Sequence, residues 1–287
     1  MKLAIVGLGE LGVAWYRAIQ SSSTISIVGM IDEELSDEVG VSLSLADAFL
    51  LCTPQDKQEV WMKRLSDTGK MIIVPLPFCT SLASCRKIIE GNKGIFPAIF
   101  QSWDPCFLDL KHHIEQGDIG DIGMIEIRHI APVPRQNWYQ ALNISGGARY
   151  QLLLTDLVLL EQLAGPIVEY HLNYRQNGGK DYCTCSMSCA SGALATIECF
   201  WGGNEPFLWS FEASGTKGNI VINGEGSRSI RFFPKVKEKI VWNMIADDSH
   251  QYQFRNCIEA VACGEVQKIG PSFIRLYSLL DVQGGGA

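Results

Sequence analysis

The 287-residue sequence is poor in charge, with 19% charged against 47% apolar residues, and its acidic excess sets a net charge of −7. No apolar run reaches the roughly 18 residues of a membrane-spanning helix, so a bilayer partner is not expected. No stripe of Lys and Arg is visible either, which speaks against nucleic acid and anionic membrane surfaces as partners. The first residues enter a strand directly, with no leader-like segment, and this predicts a cytoplasmic protein. The ten cysteines contain no C-x-x-C pair and no histidine completes a zinc set, so no metal is expected. They read as reduced thiols. The densest run, Cys183-x-Cys185-x-Met187-x-Cys189, has the period of a strand and places all four side chains on one packed face. Adjacent His112 and His113 diverge on a helix and read as surface residues. No repeat or low-complexity segment is present.

What is present begins at the first residue. Met1-Lys2-Leu3-Ala4-Ile5-Val6 is a short apolar run that breaks at Gly7-Leu8-Gly9-Glu10-Leu11-Gly12 and resumes with a helical pattern through Ile19. A second apolar run, Ile25–Ile31, ends in Asp32. Strand, glycine turn, helix, strand and acid, with the acid about 20 residues after the turn, is the arrangement for a dinucleotide. Gly7 permits the tight turn, Gly9 lets the backbone approach a pyrophosphate, and Gly12 lets helix and strand pack closely. The helix N-terminus offers unpaired N–H groups to the phosphates. Asp32 is placed to accept hydrogen bonds from ribose hydroxyls and to repel a 2′-phosphate. Glu33 and Glu34, not a basic residue, follow it. NAD is therefore expected over NADP.

Length allows two domains at roughly 150 residues each. Strand candidates at 41–43, 48–52, 70–74 and 94–100 alternate with helices at 55–66 and 81–90, predicting a doubly wound parallel sheet over residues 1–100. Thr53-Pro54 ends a strand at the cofactor edge. The remainder, 101–287, changes character. A helix at 106–116 and a strand at 124–130 come first, then a helix at 152–163 stopped by Gly165-Pro166. Alternating runs follow at 168–176, 181–190, 193–201, 209–214, 219–223 and 229–233, and helices at 252–262 and 272–280 close the chain. The fold class is α/β, followed by an α+β domain with a large, mainly antiparallel sheet.

The order of these motifs resembles the glucose–fructose oxidoreductase / inositol dehydrogenase (Gfo/Idh/MocA) family over nearly the whole chain. The resemblance rests on the glycine turn, Thr53-Pro54, Ile114–Gly120 before a strand, Gly146-Gly147, Gly165-Pro166, Ala213–Gly218 and the last helices. It implies an N-terminal Rossmann domain and a C-terminal domain with an open sheet through which homodimers or homotetramers form. It also implies NAD(P) held by Gly7, Leu8, Gly9, Glu10, Leu11, Gly12, Asp32, Thr53, Pro54, Pro75, Leu76 and Pro77.

The departures bear on chemistry. The family's Glu-Lys-Pro falls on Pro75-Leu76-Pro77, so leucine stands where the catalytic lysine would be. The family's Asp-x-x-x-His falls on Gln151 and Thr155, and a further histidine position falls near Gln58. None of these residues takes a hydroxyl proton as lysine or imidazole does. Arg149, as a carboxylate or phosphate clamp or else a surface ion pair, and Tyr150, as a proton donor or else a packing aromatic, are the catalytic candidates. Trp103, Asp104, His129, Trp138, Tyr139, Gln151 and Thr155 are candidate pocket residues. Arg128 and His129 alternate on one strand, so only one of them faces a pocket. The leading reading is an NAD(P)-dependent reductase with a rebuilt site, acting on a small substrate with an activated C=N, C=C or C=O bond. The alternatives are a non-catalytic dinucleotide-binding regulator and an enzyme like biliverdin reductase, whose equivalent stretch 75–82 resembles loosely.

Overall fold

The computed structural model describes residues 1–32, 44–91, 94–132, 136–177, 180–202, 207–223, 229–234, 240–243, 249–266 and 268–281. The expected strand at 41–43 and the acids Glu33 and Glu34 lie outside them.

The chain forms two compact units, Met1–Asp104 with Asp248–Ser278, and Pro105–Asp247 with the residues from Leu279. In the first, β1 (Lys2–Val6), β2 (Ser26–Ile31), β3 (Ala48–Leu51), β4 (Met71–Pro75) and β5 (Ile95–Ala98) pair in parallel in the order β2-β1-β3-β4-β5. Leu3–Val6 and the whole of β3 are buried on both faces, as unbroken apolar runs require. Helices α1 (Glu10–Ile19), α2 (Gln55–Ser66) and α3 (Leu82–Gly91) connect the strands. The strand order reverses between β1 and β3, which is where open parallel sheets bind ligands.

The expected division at residue 100 needs a correction. Two of the late helices, α6 (Ser249–Ala262) and most of α7 (Pro271–Leu280), belong to the first unit. Aromatic packing is the reason. Phe254 of α6 sits 4.4 Å from the Trp15 ring and 4.6 Å from Phe100, and Tyr277 of α7 lies 5.1 Å from Phe78. Tyr277 also donates a hydrogen bond to the Cys79 carbonyl. These rings cover a sheet face that hydrophobic burial would otherwise leave wet.

The second unit opens with α4 (Pro105–Glu115). Its core is a sheet ordered β13-β12-β11-β10-β6-β9-β8-β7. The strands are β6 (Ile122–Ala131), β7 (Ile167–Asn177), β8 (Lys180–Cys189), β9 (Leu194–Trp201), β10 (Leu208–Gly215), β11 (Gly218–Asn223), β12 (Ser229–Pro234) and β13 (Ile240–Asn243). All pairs are antiparallel except β6–β9. Strand β13 was not visible in the alternation pattern, because a four-residue strand gives too short a period to read. Helix α5 (Leu154–Ala164) ends at Gly165, whose φ of 75° only glycine adopts cheaply. Cys183, Cys185, Met187 and Cys189 are all buried, as the period of two requires. Burial holds the Cys183 thiol well above its ordinary value and pushes Cys185 up to about 12, so both are inert packing groups. His112 is exposed, but His113 is not a plain surface residue. It is half-buried, and its Nδ1 lies 2.7 Å from Asp118 beyond the helix end.

Candidate functional site

Two places in the fold collect polar groups that local structure alone does not require. The first is the carboxyl edge of β1 and β3. Gly7 has φ 92°, and a Cβ there would lie 2.8 Å from the Cys52 carbonyl and the Thr53 nitrogen. A Cβ on Gly12 would overlap the Gly7 carbonyl oxygen. The turn and the start of α1 are therefore pressed against the end of β3, and only glycine fits either position. Gly9 differs, because a Cβ there meets no protein atom within 4 Å. Among the described residues nothing demands glycine at 9, and the backbone there is open to approach from outside. Gly9 is also the N-cap of α1 and provides no side-chain cap, so the first-turn N–H groups keep their capacity for an anion. Leu8 and Leu11 pack on the core below, and the Glu10 side chain is exposed. Asp32, at the end of β2, is exposed too.

Thr53 and Pro54 lie on the same edge. Gln58 donates to the Thr53 carbonyl at 3.0 Å, and Gln55 donates to the Pro77 carbonyl at 3.2 Å. Among the described residues, Thr53 Oγ1, Gln55 Oε1 and Gln58 Oε1 are buried without a hydrogen-bond partner. Three such atoms in one place are unusual, since buried polar groups are normally paired. They fit a ligand carrying amide and hydroxyl groups, as the nicotinamide riboside half of a dinucleotide does. Gln55 was missed in the sequence, although its place on the first turn after Thr53-Pro54 was a usable signal. Pro75 and Pro77 are buried and Leu76 is half-buried. Leu76 thus contributes no charge to this edge.

Trp103 and Asp104 serve the first unit as anchors. Trp103 packs on its hydrophobic core, and buried Asp104 accepts from Gln253 of α6.

The second place lies in the second unit, around a π-helical turn, Arg149–Leu153, that leads into α5. The Arg149 guanidinium stands 4.3 Å over the Tyr174 ring and donates to the Leu280 carbonyl. Tyr174 donates to Asp181, which also accepts the Ala148 N–H at 2.9 Å. Burial, then the Asp181 charge, raises the Tyr174 phenol. A Cβ on Gly147 would overlap the Asp181 carboxylate, which explains the second glycine of Gly146-Gly147. Arg149 is thus engaged in a strut that fixes this loop. Tyr150 is buried, and Gln151 donates to the Ser145 carbonyl at 2.7 Å. Thr155 is buried in α5. Trp138 and Tyr139 stack at 3.6 Å, with Tyr139 edge-on to Trp201.

Beside this turn is a cluster that alignment by spacing did not find. Asp156, on α5, has no exposed surface. Its carboxylate lies 2.9 Å from His129 Nδ1 of β6 and accepts Trp209 Nε1 of β10 at 3.0 Å, with the Cys199 thiol of β9 at 3.8 Å. Burial, then Asp156, holds the Cys199 thiol well above its ordinary value, so Cys199 stays an S–H donor. Every neighbour of Asp156 is a donor, which assigns the His129 proton to Nδ1. His129 is 5% exposed, and its Nε2 is buried with no partner among the described residues. Such an orphan costs about 1–3 kcal/mol. The half-exposed Phe207 ring sits edge-on to the imidazole at 5.2 Å. Of Arg128 and His129, the histidine turns inward and Arg128 outward, toward Glu198 at 3.8 Å. Asp156 escaped the sequence reading because it is one residue beyond Thr155, the position that the family spacing singles out.

A model of the GFO/IDH/MocA C-terminal domain matches residues 107–221. The inositol 2-dehydrogenase of Rhizobium meliloti (strain 1021) is 22% identical over 258 residues, covering 80% of this chain and 78% of that protein. A dehydrogenase from Chromobacterium violaceum superimposes with a TM-score of 0.80 at 11% identity, over 98% of this chain and 93% of that one. Biliverdin reductase from Synechocystis sp. PCC 6803, solved with biliverdin and NADP+, gives 0.73 at 13% identity, over 97% and 95%. At such identities the structural likeness establishes the fold.

Proposed function

The chain belongs to the Gfo/Idh/MocA family, and from that premise we propose that it is an NAD(P)-dependent oxidoreductase with a rebuilt substrate site. The observation that carries this reading is the glycine turn at the β1/β3 reversal. Gly7 and Gly12 are required by the chain's own packing, and Gly9 is explained by a ligand against the backbone. The unpartnered Thr53, Gln55 and Gln58 oxygens on the same edge support it. The dinucleotide supplies hydride chemistry, and the protein binds and orients it. With leucine at 76, the favoured substrate is a small molecule whose C=N, C=C or C=O bond is already activated. The named activities of the relatives set the first probes, which are myo-inositol, keto sugars, cyclic imines and biliverdin.

Titration with NADH, followed by nicotinamide fluorescence, tests the reading. Saturable enhancement or blue shift is expected, and no change at millimolar NADH would sink it. Because Asp32 opposes a 2′-phosphate, NADH is expected to bind more tightly than NADPH. Asp32→Ala should narrow that ratio by about tenfold, the equivalent of 1.4 kcal/mol of relieved repulsion. Saturable NADH binding with no loss of NADH absorbance against any probe would favour the second reading, a dinucleotide-binding regulator, which the residues at 76, 151 and 155 leave open.

We propose further that copies of the chain associate through the outward face of the large sheet. That face pairs Leu194, 61% exposed, with Met124, and stacks Tyr182 on Phe200 at 4.8 Å. Light scattering after size exclusion should report a dimer or tetramer that Leu194→Asp converts to a smaller species. A wild-type monomer at every concentration would overturn this.

A further inference from the structure

We propose that His129 is the acid/base group of this protein, with Asp156 and Trp209 as the residues that position it. The inference rests on the oxidoreductase reading and assigns the proton that Leu76, Gln151 and Thr155 are unable to handle. The geometry is that of a wired imidazole. Asp156 accepts from Nδ1 and Trp209 holds the other carboxylate oxygen, so the ring is fixed in orientation and tautomer. Nε2 is left with its lone pair and no partner among the described residues, covered on one side by the apolar Phe207 ring. A histidine kept only for packing gains nothing from an unpaired nitrogen, whereas one that exchanges a proton needs it. Among the described residues, Asp156 from α5 bonds the ring and Cys199, paired with His129 across β6 and β9, bonds the same carboxylate, with Cys183 and Cys185 near Cys199. Arg128 and Glu198 point to the other face.

The step balances as follows for a carbonyl substrate. A bound reduced dinucleotide would supply the hydride, two electrons to the carbonyl carbon. The C=O π pair moves to oxygen, which takes the proton from Nε2–H of the imidazolium. The neutral ring keeps its Nδ1–H toward Asp156, and water returns a proton to Nε2. In the oxidative direction Nε2 accepts the hydroxyl proton as the C–H pair leaves.

Two measurements on the full-length protein test this. In the first, the wild type is treated with diethyl pyrocarbonate and its histidine peptides are read by mass spectrometry. An adduct on His129 is expected, because Nε2, although buried in the resting fold, must open to a small molecule if it exchanges a proton with one. Reaction at exposed His112 with none at His129 would overturn the proposal, whatever substrate the enzyme uses. In the second, His129→Asn keeps a donor toward Asp156 and removes only Nε2. Turnover of any probe that the wild type consumes should fall about 10²–10⁴-fold, the range of a lost general acid. NADH binding should stay within about twofold. Asp156→Asn should lower kcat with KM little changed, as loss of positioning does. His129→Asn with wild-type turnover would overturn the proposal. Failure of the wild type to bind NADH would instead sink the oxidoreductase reading.

Discussion

Gly12→Ala should cost both stability and cofactor affinity, whereas Gly9→Ala should cost affinity alone. A methyl on Gly12 overlaps the carbonyl oxygen of Gly7, a residue so close to the end of β3 that its own Cβ would lie 2.8 Å from the Cys52 carbonyl. Backbone is not displaced cheaply. Overpacking of this kind costs about 1–3 kcal/mol, and more when no side chain can yield. If α1 instead tilts away to relieve the overlap, its first-turn N–H groups leave the phosphates. Three kcal/mol lost there is about a hundredfold in Kd. A methyl on Gly9 meets no protein atom within 4 Å, so Gly9→Ala should unfold in urea like the wild type. It should still bind NADH at least about tenfold more weakly, because only the ligand competes for that space. Gly91→Ala, also in open space, is the control for both assays. Wild-type NADH affinity in Gly9→Ala would show that no pyrophosphate approaches this backbone.

Asp156→Ala should be the most destabilising single change in the second unit, by about 3–5 kcal/mol. The carboxylate is fully buried and is the common acceptor for His129 Nδ1, Trp209 Nε1 and the Cys199 thiol. Truncation strands these donors away from water and opens a cavity among α5, β6, β9 and β10. At 2–4 °C of Tm per kcal/mol for a unit of this size, a fall of about 10 °C is expected. Asp156→Asn keeps the volume and one acceptor oxygen and should cost less than half as much, about 1–2 kcal/mol. Calorimetry checks both. A Tm within about 2 °C of wild type for Asp156→Ala would mean that the cluster is wet and its carboxylate replaceable, contrary to its burial. The stability effect is separate from the catalytic one, because His129→Asn leaves a donor on Asp156 and should fold normally.

The parallel-sheet half of the fold was legible because its signals are local. Gly7, Gly9 and Gly12 lead from β1 into the first turns of α1, and Asp32 follows the next strand; backbone packing demands glycine at 7 and 12. The four-residue face from Cys183 to Cys189 was legible for the same reason, since a period of two is written into consecutive positions. Arg149 could not be assigned from its neighbours. Its partners are the Tyr174 ring and the Leu280 carbonyl, 25 and 131 positions away.

By itself, then, the sequence determined two things: a strand, glycine turn and helix with Asp32 closing the next strand, and a buried face from Cys183 to Cys189. Both follow from short-range constraints. Only the tertiary structure brought together the donors that surround Asp156. His129, Asp156, Cys199 and Trp209 come from three strands and a helix, and no period or spacing links them. They meet because the sheet and α5 exclude water from the Asp156 carboxylate, which must gather donors to be buried at all.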